Sequence, residues 1–287
     1  MKTIGFIGLG IMGESMCENL IKKRDEDVIV YDIVEKKVEQ MVELGAKAAK
    51  SNSEVAAKSD IIISMVPKSE HVKAVYEDIK DELTEAKLWI DMSTIKPSVS
   101  KELAEKVKAR GAYMVDSPVV KSKSAAVSGT LGIYFGGKKE IFEKVKEILL
   151  TMGENIIYLG DNGSGLVMKI CHNMLVGQIQ NGVNEMLTMA EKAEINIDDF
   201  TKAISYGGGQ NFYLDAKAQS IKERDFTTAF SVENMNKDVG IAKTIKENMS
   251  LYLPGIDLVK NVYDEAMDLG YAGEDFSATI KVIENRN

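Results

Sequence analysis

The amino-acid sequence predicts an α/β protein in which a doubly wound parallel sheet is followed by an all-helical domain. Over the first half of the chain, short apolar runs alternate with amphipathic segments of helix length, and parallel strands require connections of that length. After about Gly160 no further strand-like run occurs, and helical periodicity dominates. We therefore expect two domains, residues 1–162 and residues 163–287.

Two arrangements of apolar residues predict the individual elements: short continuous runs predict strands, and helical spacing predicts helices. The apolar runs that predict strands are Thr3–Ile7, Val28–Tyr31, Asp60–Met65, Leu88–Asp91, Tyr113–Asp116, Leu131–Phe135 and Ile156–Leu159. The first-half segments that predict helices are Met12–Ile21, Lys36–Leu44, Ser98–Val107 and Lys139–Leu149. Those of the second half are Leu166–Ala190, Asp198–Ser205, Val232–Lys246, Ile256–Leu269 and Phe276–Ile283. A long helix from Ser164 to about Lys192 should open the second domain, and its glycines, Gly177 and Gly182, predict close helix contacts or a kink.

Composition excludes several classes of partner. The chain has 287 residues, with 36 Lys+Arg against 44 Asp+Glu and a net charge of −8. An acidic chain without long Lys/Arg runs matches a phosphate backbone poorly, so no nucleic-acid partner is expected. Cys17 and Cys171 have no Cys or His at metal-ligand spacing, so no metal site is expected. With no signal-peptide pattern and no run of roughly 18 apolar residues, we expect a cytoplasmic protein without a membrane partner.

The first predicted strand runs directly into a glycine-rich turn, Gly8–Gly13, that opens the first helix. A G-x-G-x-x-G pattern in this context is typical of a Rossmann-type dinucleotide-binding domain, because the glycines permit a tight turn and let a pyrophosphate approach helix N-terminal amides. Asp32 ends the next strand, about 20 residues further on, where a carboxylate accepts hydrogen bonds from ribose hydroxyls. The cofactor-binding residues predicted here are Gly8, Gly10, Ile11, Met12, Gly13 and Asp32.

Asp32 also bears on whether the cofactor is NAD(H) or NADP(H). Its carboxylate would repel the 2′-phosphate of NADP(H), and the neighbouring Tyr31 and Ile33 supply no arginine to bind that phosphate. Lys36 and Lys37 open the following helix and are interpreted as surface charges. The sequence therefore favours NAD(H) over NADP(H).

Three further segments, Asp91–Pro97, Asp116–Leu131 and Gly160–Asn173, complete a family pattern. Together with the glycine motif they resemble the β-hydroxyacid dehydrogenase family, which includes 3-hydroxyisobutyrate dehydrogenase and tartronate semialdehyde reductase. The resemblance covers the whole chain. It implies a Rossmann-type domain, an all-α domain like the C-terminal domain of 6-phosphogluconate dehydrogenase, and an active site between them. It also implies oligomer contacts, so we expect a homodimer or homotetramer.

The resemblance implies that Lys169 is the catalytic residue, with Asn173 one helical turn further on. The residue types agree with that role, because positions i and i+4 share a helix face. A desolvated ammonium has a lowered pKa, which suits proton exchange with an oxyanion. Asn173 has amide hydrogens to offer the same oxygen or a substrate carboxylate.

Four more positions map onto the family's site. Thr94 is expected at the nicotinamide-side ribose or ring, and Val66 is expected to line the adenosine–ribose channel. Lys237 matches the lysine of a Lys-Asp pair that the family brings to substrate and cofactor, with a plain surface charge as the alternative. His172 neighbours the catalytic helix face, where we interpret it as a packing or hydrogen-bonding residue beside the substrate.

The turn after Pro118 departs from the family, whose usual Asp-x-Pro-Val-Ser-Gly-Gly pattern holds a substrate carboxylate. Val120, Lys121 and Ser122 occupy its Ser-Gly-Gly positions. The family's turn shape cannot be assumed here, because glycine reaches positive φ at low cost and valine does not. Two interpretations stay open. Lys121 and Ser122 bind a substrate anion, much as an arginine meets the sulfonate in 3-sulfolactaldehyde reductases, or Lys121 faces solvent.

The expected function is that of an NAD-dependent oxidoreductase that interconverts a small 3-hydroxy acid and its semialdehyde or 3-oxo form. We expect it to work as a reductase on a small anionic aldehyde, with Lys169 as general acid. The alternatives are a 3-sulfolactaldehyde-type reductase that uses Lys121 and a catalytically inactive dinucleotide-binding scaffold. The loop Gly207–Gly209 and the residues after it, Gln210, Asn211 and Tyr213, either reach the substrate or form an ordinary interhelix connection.

Overall fold

The protein is described by a computed structural model that covers residues 2–287. The chain divides into two compact units, the first ending at Lys169 and the second running from Ile170 to Asn287. The boundary between the units falls inside one long helix, Ser164–Lys192. The sequence-based domain limits, 1–162 and 163–287, stand at the start of that helix and remain a prediction.

The first unit contains two sheets. Its strands are β1 (Ile4–Ile7), β2 (Val28–Tyr31), β3 (Lys47–Ala48), β4 (Ile61–Ser64), β5 (Leu88–Asp91), β6 (Tyr113–Asp116), β7 (Val119–Val120), β8 (Leu131–Phe135) and β9 (Gly153–Tyr158). Strands β1 to β6 form a parallel sheet in the order β3-β2-β1-β4-β5-β6. This order is the doubly wound arrangement, so the predicted Rossmann-type fold is confirmed.

The last two predicted strands do not extend the parallel sheet, which corrects the sequence-based expectation. Strands β8 and β9 form a separate three-stranded sheet with β7, and β7 runs antiparallel to β8. The connection from β6 to β7 consists of Ser117 and Pro118, which is too short for the crossover that a parallel neighbour needs. The second sheet therefore begins where the chain leaves β6.

Helices cover both faces of the parallel sheet. They are α1 (Ile11–Lys23), α2 (Glu35–Glu43), α3 (Asn52–Lys58), α4 (Ser69–Ile79) and α5 (Pro97–Lys108). The first unit also contains α6 (Lys123–Ser128), which packs against α1, and α7 (Lys139–Leu149), which packs against β9 of the second sheet. Successive strand residues face opposite sides of the sheet. Phe6 is in register with Ile90, so Trp89, the residue before Ile90, faces the other side. Phe6 accordingly packs with residues of α1 and α2, whereas Trp89 packs with residues of α4 and α5. The apolar pattern predicted neither the two-residue strands β3 and β7 nor the helices α3, α4 and α6.

The second unit is helical, as the sequence predicts. It contains most of α8 (Ser164–Lys192), followed by α9 (Ile197–Ile204), α10 (Phe212–Glu223), α11 (Val232–Asn248), α12 (Pro254–Asp268) and α13 (Ile280–Asn285). A Cβ on Gly177 would lie 3.2 Å from side-chain atoms of Met235 and Val259, so this glycine marks close contact of α8 with α11 and α12. Gly182 has no such neighbour among residues 2–287, so the expectation of close contact there is wrong, and the alternative of a kink stays a prediction. Within residues 2–287, no helix combines the length and the apolarity that are needed to cross a membrane.

Candidate active site

The glycine-rich turn Gly8–Gly13, called here the dinucleotide turn, connects β1 to α1. Gly8 has a φ of +93°, and a Cβ there would lie 2.4 Å from the Met65 carbonyl oxygen. A Cβ on Gly13 would lie 2.1 Å from the Gly8 carbonyl oxygen. By contrast, a Cβ on Gly10 would meet no atom of residues 2–287 within 4 Å. The turn itself requires Gly8 and Gly13, whereas Gly10 leaves open the space that a pyrophosphate needs at the start of α1.

The first residues of α1, Ile11 and Met12, lie where backbone amides have no partner within the helix. Asp32 fixes the other side of the turn. Its Oδ2 accepts a hydrogen bond from the Leu9 amide at 2.6 Å, and its Oδ1 accepts one from the Val34 amide at 2.8 Å. A carboxylate has about four acceptor positions, so ribose hydroxyls can still bond to it. The predicted cofactor residues of this region therefore lie together, in an arrangement that fits a bound dinucleotide.

Val66 and Thr94 follow the neighbouring strands β4 and β5, and a buried network holds Val66 to the second loop. The Val66 amide donates to Ser93 Oγ at 2.9 Å, and that hydroxyl donates to Asp91 Oδ1 at 2.7 Å. Ser64 Oγ donates to the same carboxylate oxygen at 2.7 Å. The apolar pattern assigned no such role to Asp91, although its place at a strand end two residues before Ser93 is visible in the sequence.

Asp91 is completely buried, and its Oδ2 has no hydrogen-bond partner among residues 2–287. Burial raises the pKa of Asp91 to about 7, since an ionised carboxylate loses its hydration there and the three hydrogen bonds to Oδ1 offset only part of that cost. The nearby Asp116 carboxylate raises this pKa further. The loops that carry Val66 and Thr94 thus rest on a carboxyl group that titrates near neutral pH.

Helix α8 carries three of the predicted site residues. Lys169 and His172 are partly buried, and Asn173 is buried one turn beyond Lys169. Asn173 Nδ2 donates to Asp238 Oδ2 at 2.6 Å, and Lys237 Nζ lies 3.2 Å from Asp238 Oδ1. Asp238 is 2 % exposed. In the second unit the fold therefore brings together Asn173 and the predicted Lys237, and Asp238 joins them.

Lys121 lies in the turn after Pro118, the turn whose sequence departs from the family pattern. This residue has a φ of +83°, the left-handed region that glycine occupies easily. Its Nζ donates to the Thr130 carbonyl oxygen at 2.7 Å and pairs with Glu154 Oε1 at 2.9 Å. The side chains of Lys121 and Glu154 are 42 % and 54 % exposed. Lys121 therefore has a positive φ, as glycine often does, while its ammonium contacts Glu154 of β9 and the Thr130 carbonyl just before β8.

The two neighbours of Lys121 have local roles. Val120 belongs to β7, pairs with Gly132 and is buried, and its apolar side chain gives the turn no hydroxyl. Ser122 precedes α6, and its Oγ lies 2.6 Å from Ser124 Oγ at the surface.

Two of the residues after the loop Gly207–Gly209 belong to helix α10 or its N-cap, and the helical pattern of the sequence did not predict this helix. Asn211 is its N-cap, with its side chain accepting a hydrogen bond from the Leu214 amide at 2.9 Å. Tyr213 is buried and its hydroxyl donates to Asn184 Oδ1 at 3.2 Å. Of the residues considered for substrate contact here, Asn211 and Tyr213 therefore serve the helical fold, whereas Gln210 is exposed.

Two family models match consecutive parts of the chain. Residues 3–160 match the model described as the NAD binding domain of 6-phosphogluconate dehydrogenase. Residues 163–283 match the model described as NAD-binding of NADP-dependent 3-hydroxyisobutyrate dehydrogenase. Both halves of the chain are thus similar to domains of nicotinamide-dependent dehydrogenases.

Individual relatives are similar over their full length. The uncharacterized oxidoreductase YkwC of Bacillus subtilis is 35% identical, with 97% of this chain and 96% of that protein covered. The 2-(hydroxymethyl)glutarate dehydrogenase of Eubacterium barkeri is 33% identical, with 98% and 94% covered. The solved structure of Mycobacterium tuberculosis 3-hydroxyisobutyrate dehydrogenase with L-serine matches with a TM-score of 0.92 at 28% identity, covering 99% of each chain.

Proposed function

Because the chain belongs to the β-hydroxyacid dehydrogenase family, we propose that it is an NAD(H)-dependent reductase of small 3-oxo acids and semialdehydes. The observation that carries this proposal is the set of polar groups on and beside α8. Lys169 lies one turn from Asn173, whose amide is bonded to the buried Asp238 at 2.6 Å. A proton donor and a fixed amide donor on one helix face suit the reduction of a carbonyl.

Each residue has a defined task in this proposal. A bound nicotinamide dinucleotide supplies the hydride that reduces the carbonyl carbon. Lys169 gives its proton to the carbonyl oxygen and takes one back in the reverse direction. Asp238 occupies one of the two amide hydrogens of Asn173, so the second remains for the reacting oxygen or the substrate carboxylate. Lys237 balances the charge of Asp238, from which it lies 3.2 Å away.

The preference for NAD(H) over NADP(H) rests on Asp32 and its surroundings. Its carboxylate is held at the dinucleotide turn by two amides, where a 2′-phosphate would meet a like charge. Lys37 is paired with Glu14 rather than left to bind such a phosphate. Although one matching family model is described by an NADP-dependent enzyme, these contacts favour NAD(H).

The substrate class is narrowed by the molecules in the names of the relatives. 2-(Hydroxymethyl)glutarate, 3-hydroxyisobutyrate and L-serine each have a hydroxymethyl group on the carbon that carries a carboxylate. Oxidation of that group gives an aldehyde whose carbon is separated from the carboxylate carbon by one carbon atom. We propose that the substrate of this chain has the same unit.

A second candidate, reduction of 3-sulfolactaldehyde, rests on the Lys121 ammonium. The Lys121–Glu154 pair is exposed, and such pairs contribute about 0–1 kcal/mol. A substrate sulfonate can therefore displace Glu154 at small cost. In the first candidate function the pair remains intact, and Lys121 does not contact substrate.

The experiment is a comparison of NADH and NADPH consumption across a panel of aldehydes, with the wild type and Lys121→Gly run together. We expect NADH to be preferred, and methylmalonic and tartronic semialdehydes to react faster than succinic semialdehyde and glyoxylate, whose carboxylates are differently spaced. Turnover of 3-sulfolactaldehyde that is lost in Lys121→Gly would favour the second candidate. Consumption of neither cofactor with any aldehyde would support the scaffold alternative.

We also retain the remaining predictions of the sequence as proposals. These are domain limits at 1–162 and 163–287, a homodimer or homotetramer, and Thr94, Val66, His172 and Ser122 as further site residues. No nucleic-acid partner is proposed.

A further inference from the structure

The start of helix α8 is held by a buried carboxylate that the proposed reaction does not use. Asp116, at the end of β6, is completely buried. Its Oδ1 accepts a hydrogen bond from the Gly163 amide at 2.5 Å, and its Oδ2 accepts one from the Leu166 amide at 2.8 Å. Both amides lie in the first turn of α8 or just before it, where backbone donors have no partner within the helix.

Two glycines make room for this contact. A Cβ on Gly136 would lie 2.6 Å from Asp116 Oδ1, and a Cβ on Gly165 would lie 2.9 Å from Oδ2. The Cβ on Gly165 would also lie 2.3 Å from the Tyr134 carbonyl oxygen. A side chain at either position would displace the carboxylate or the start of α8, so both glycines are needed for this contact.

We infer that Asp116 is the positioning residue for Lys169. Leu166, whose amide Asp116 binds, lies three residues before Lys169 and therefore about one turn away on the same helix face. A carboxylate with two amides at a helix N-terminus also interacts favourably with the helix dipole. The inference rests on the proposed function, since it assigns to Asp116 the placement of the proposed proton donor.

The charge of Asp116 matters for this role, because a protonated carboxyl loses acceptor capacity. Burial raises the pKa of Asp116 to about 6, although the amides of Gly163 and Leu166 oppose the shift. The other charged groups that face it are Lys101 of α5, which lowers its pKa, and Asp91 of β5, its register partner. The contact with α8 should therefore weaken as pH falls below about 6.

The test is a double-mutant cycle of Asp116→Asn and Lys169→Ala, with kcat measured at saturating NADH. An asparagine amide offers one acceptor oxygen, so one α8 amide loses its partner and Lys169 shifts. We expect Asp116→Asn alone to lower kcat by about 10- to 100-fold, since misplacement by about 1 Å has effects of that size. The double variant should be no slower than Lys169→Ala, because a misplaced lysine and an absent one are equivalent. Effects that multiply in the double variant, or an unchanged kcat in Asp116→Asn, would overturn the inference.

Two further readouts separate positioning from a general loss of stability. The wild-type kcat should fall as pH is lowered through about 6, and this inflection should be missing in Asp116→Asn. In Asp116→Asn, hydrogen exchange should accelerate in peptides covering 160–168 but not in those covering 180–190.

The matched control is Asp161→Asn, which changes an exposed carboxylate beside the same helix end. It should match the wild type in kcat, in the pH profile and in hydrogen exchange. Full turnover by Lys169→Ala would instead contradict the proposed proton donor, and the exchange data would still report on the contact itself.

Discussion

The dinucleotide turn and the turn around Lys121 each contain a residue with a positive φ, but the two residues are very different. Gly8 has a φ of +93° and Lys121 a φ of +83°. At Gly8 a Cβ would lie 2.4 Å from a carbonyl oxygen, so glycine is required there both because φ is positive and because there is no space for a side chain. Lys121 has room for its side chain, which Thr130 and Glu154 hold at the surface. A steric clash therefore fixes residue identity, whereas an unfavourable φ costs a non-glycine residue only about 1–2 kcal/mol.

The largest effect is expected where the clash is worst, at Gly13. A Cβ there would lie 2.1 Å from the Gly8 carbonyl oxygen, so the whole turn must move. We expect Gly13→Ala to lower the free energy of unfolding by about 3 kcal/mol and to abolish NADH binding. Gly10→Ala is the matched control, because its Cβ meets nothing within 4 Å in the described range, residues 2–287. Gly10→Ala should leave the free energy of unfolding unchanged and weaken NADH binding roughly tenfold. If both variants lowered the free energy of unfolding in urea equally, the clash at Gly13 would not be what requires glycine there.

A pH effect of intermediate size is expected from Asp91, which supports the loops beside the dinucleotide turn. Its pKa in the folded protein is raised to about 7, so between about pH 4 and pH 7 the native state binds a proton more tightly than the unfolded chain. Stability from this group is therefore greatest at low pH and is lost as pH rises through that window. Asp91→Asn lacks the group, so the wild type should lose stability relative to the variant from pH 4 to pH 7. Urea titrations of both proteins across this range measure the difference, and a constant difference would show that Asp91 does not titrate there.

The smallest effect is expected at Lys121. Replacement by glycine relieves the positive φ and removes an exposed ion pair that contributes about 0–1 kcal/mol, so Lys121→Gly should raise the free energy of unfolding by about 1 kcal/mol. Lys121→Ala loses the same pair but keeps a Cβ at the same φ. The difference between the two variants in urea unfolding isolates the backbone conformation. If alanine and glycine are equally stable, position 121 is not strained.

Local patterns predicted the parts of the fold that local forces determine. Buried strands such as β1, β4 and β5 are visible as apolar runs, and the glycine spacing located the dinucleotide turn because sterics allow few alternatives. The second sheet was assigned wrongly because pairing of β7 with β8 depends on the short connection after β6, not on hydrophobicity.

The site was predicted less completely than the fold. The sequence placed Lys169 and Asn173 on one helix face, but the contact between Asn173 and Asp238 joins residues 65 positions apart. In the same way, the pairing of Lys121 with Glu154 spans 33 residues. The burial of Asp91 and Asp116, which gives these carboxyls their supporting roles, arises only when β5 and β6 lie side by side. Such long-range contacts leave no periodic signal in a single sequence.

In the proposed function, Lys169 supplies the proton in an NADH-dependent reduction. This role is tested by measuring turnover of the best aldehyde in the panel by Lys169→Ala, with NADH affinity measured separately by fluorescence titration. Lys192→Ala, an exposed lysine at the far end of the same helix, is the control. We predict that Lys169→Ala lowers kcat by about 100- to 10,000-fold with an unchanged NADH affinity, while Lys192→Ala matches the wild type. Wild-type turnover by Lys169→Ala would contradict the assignment of this residue as the proton donor.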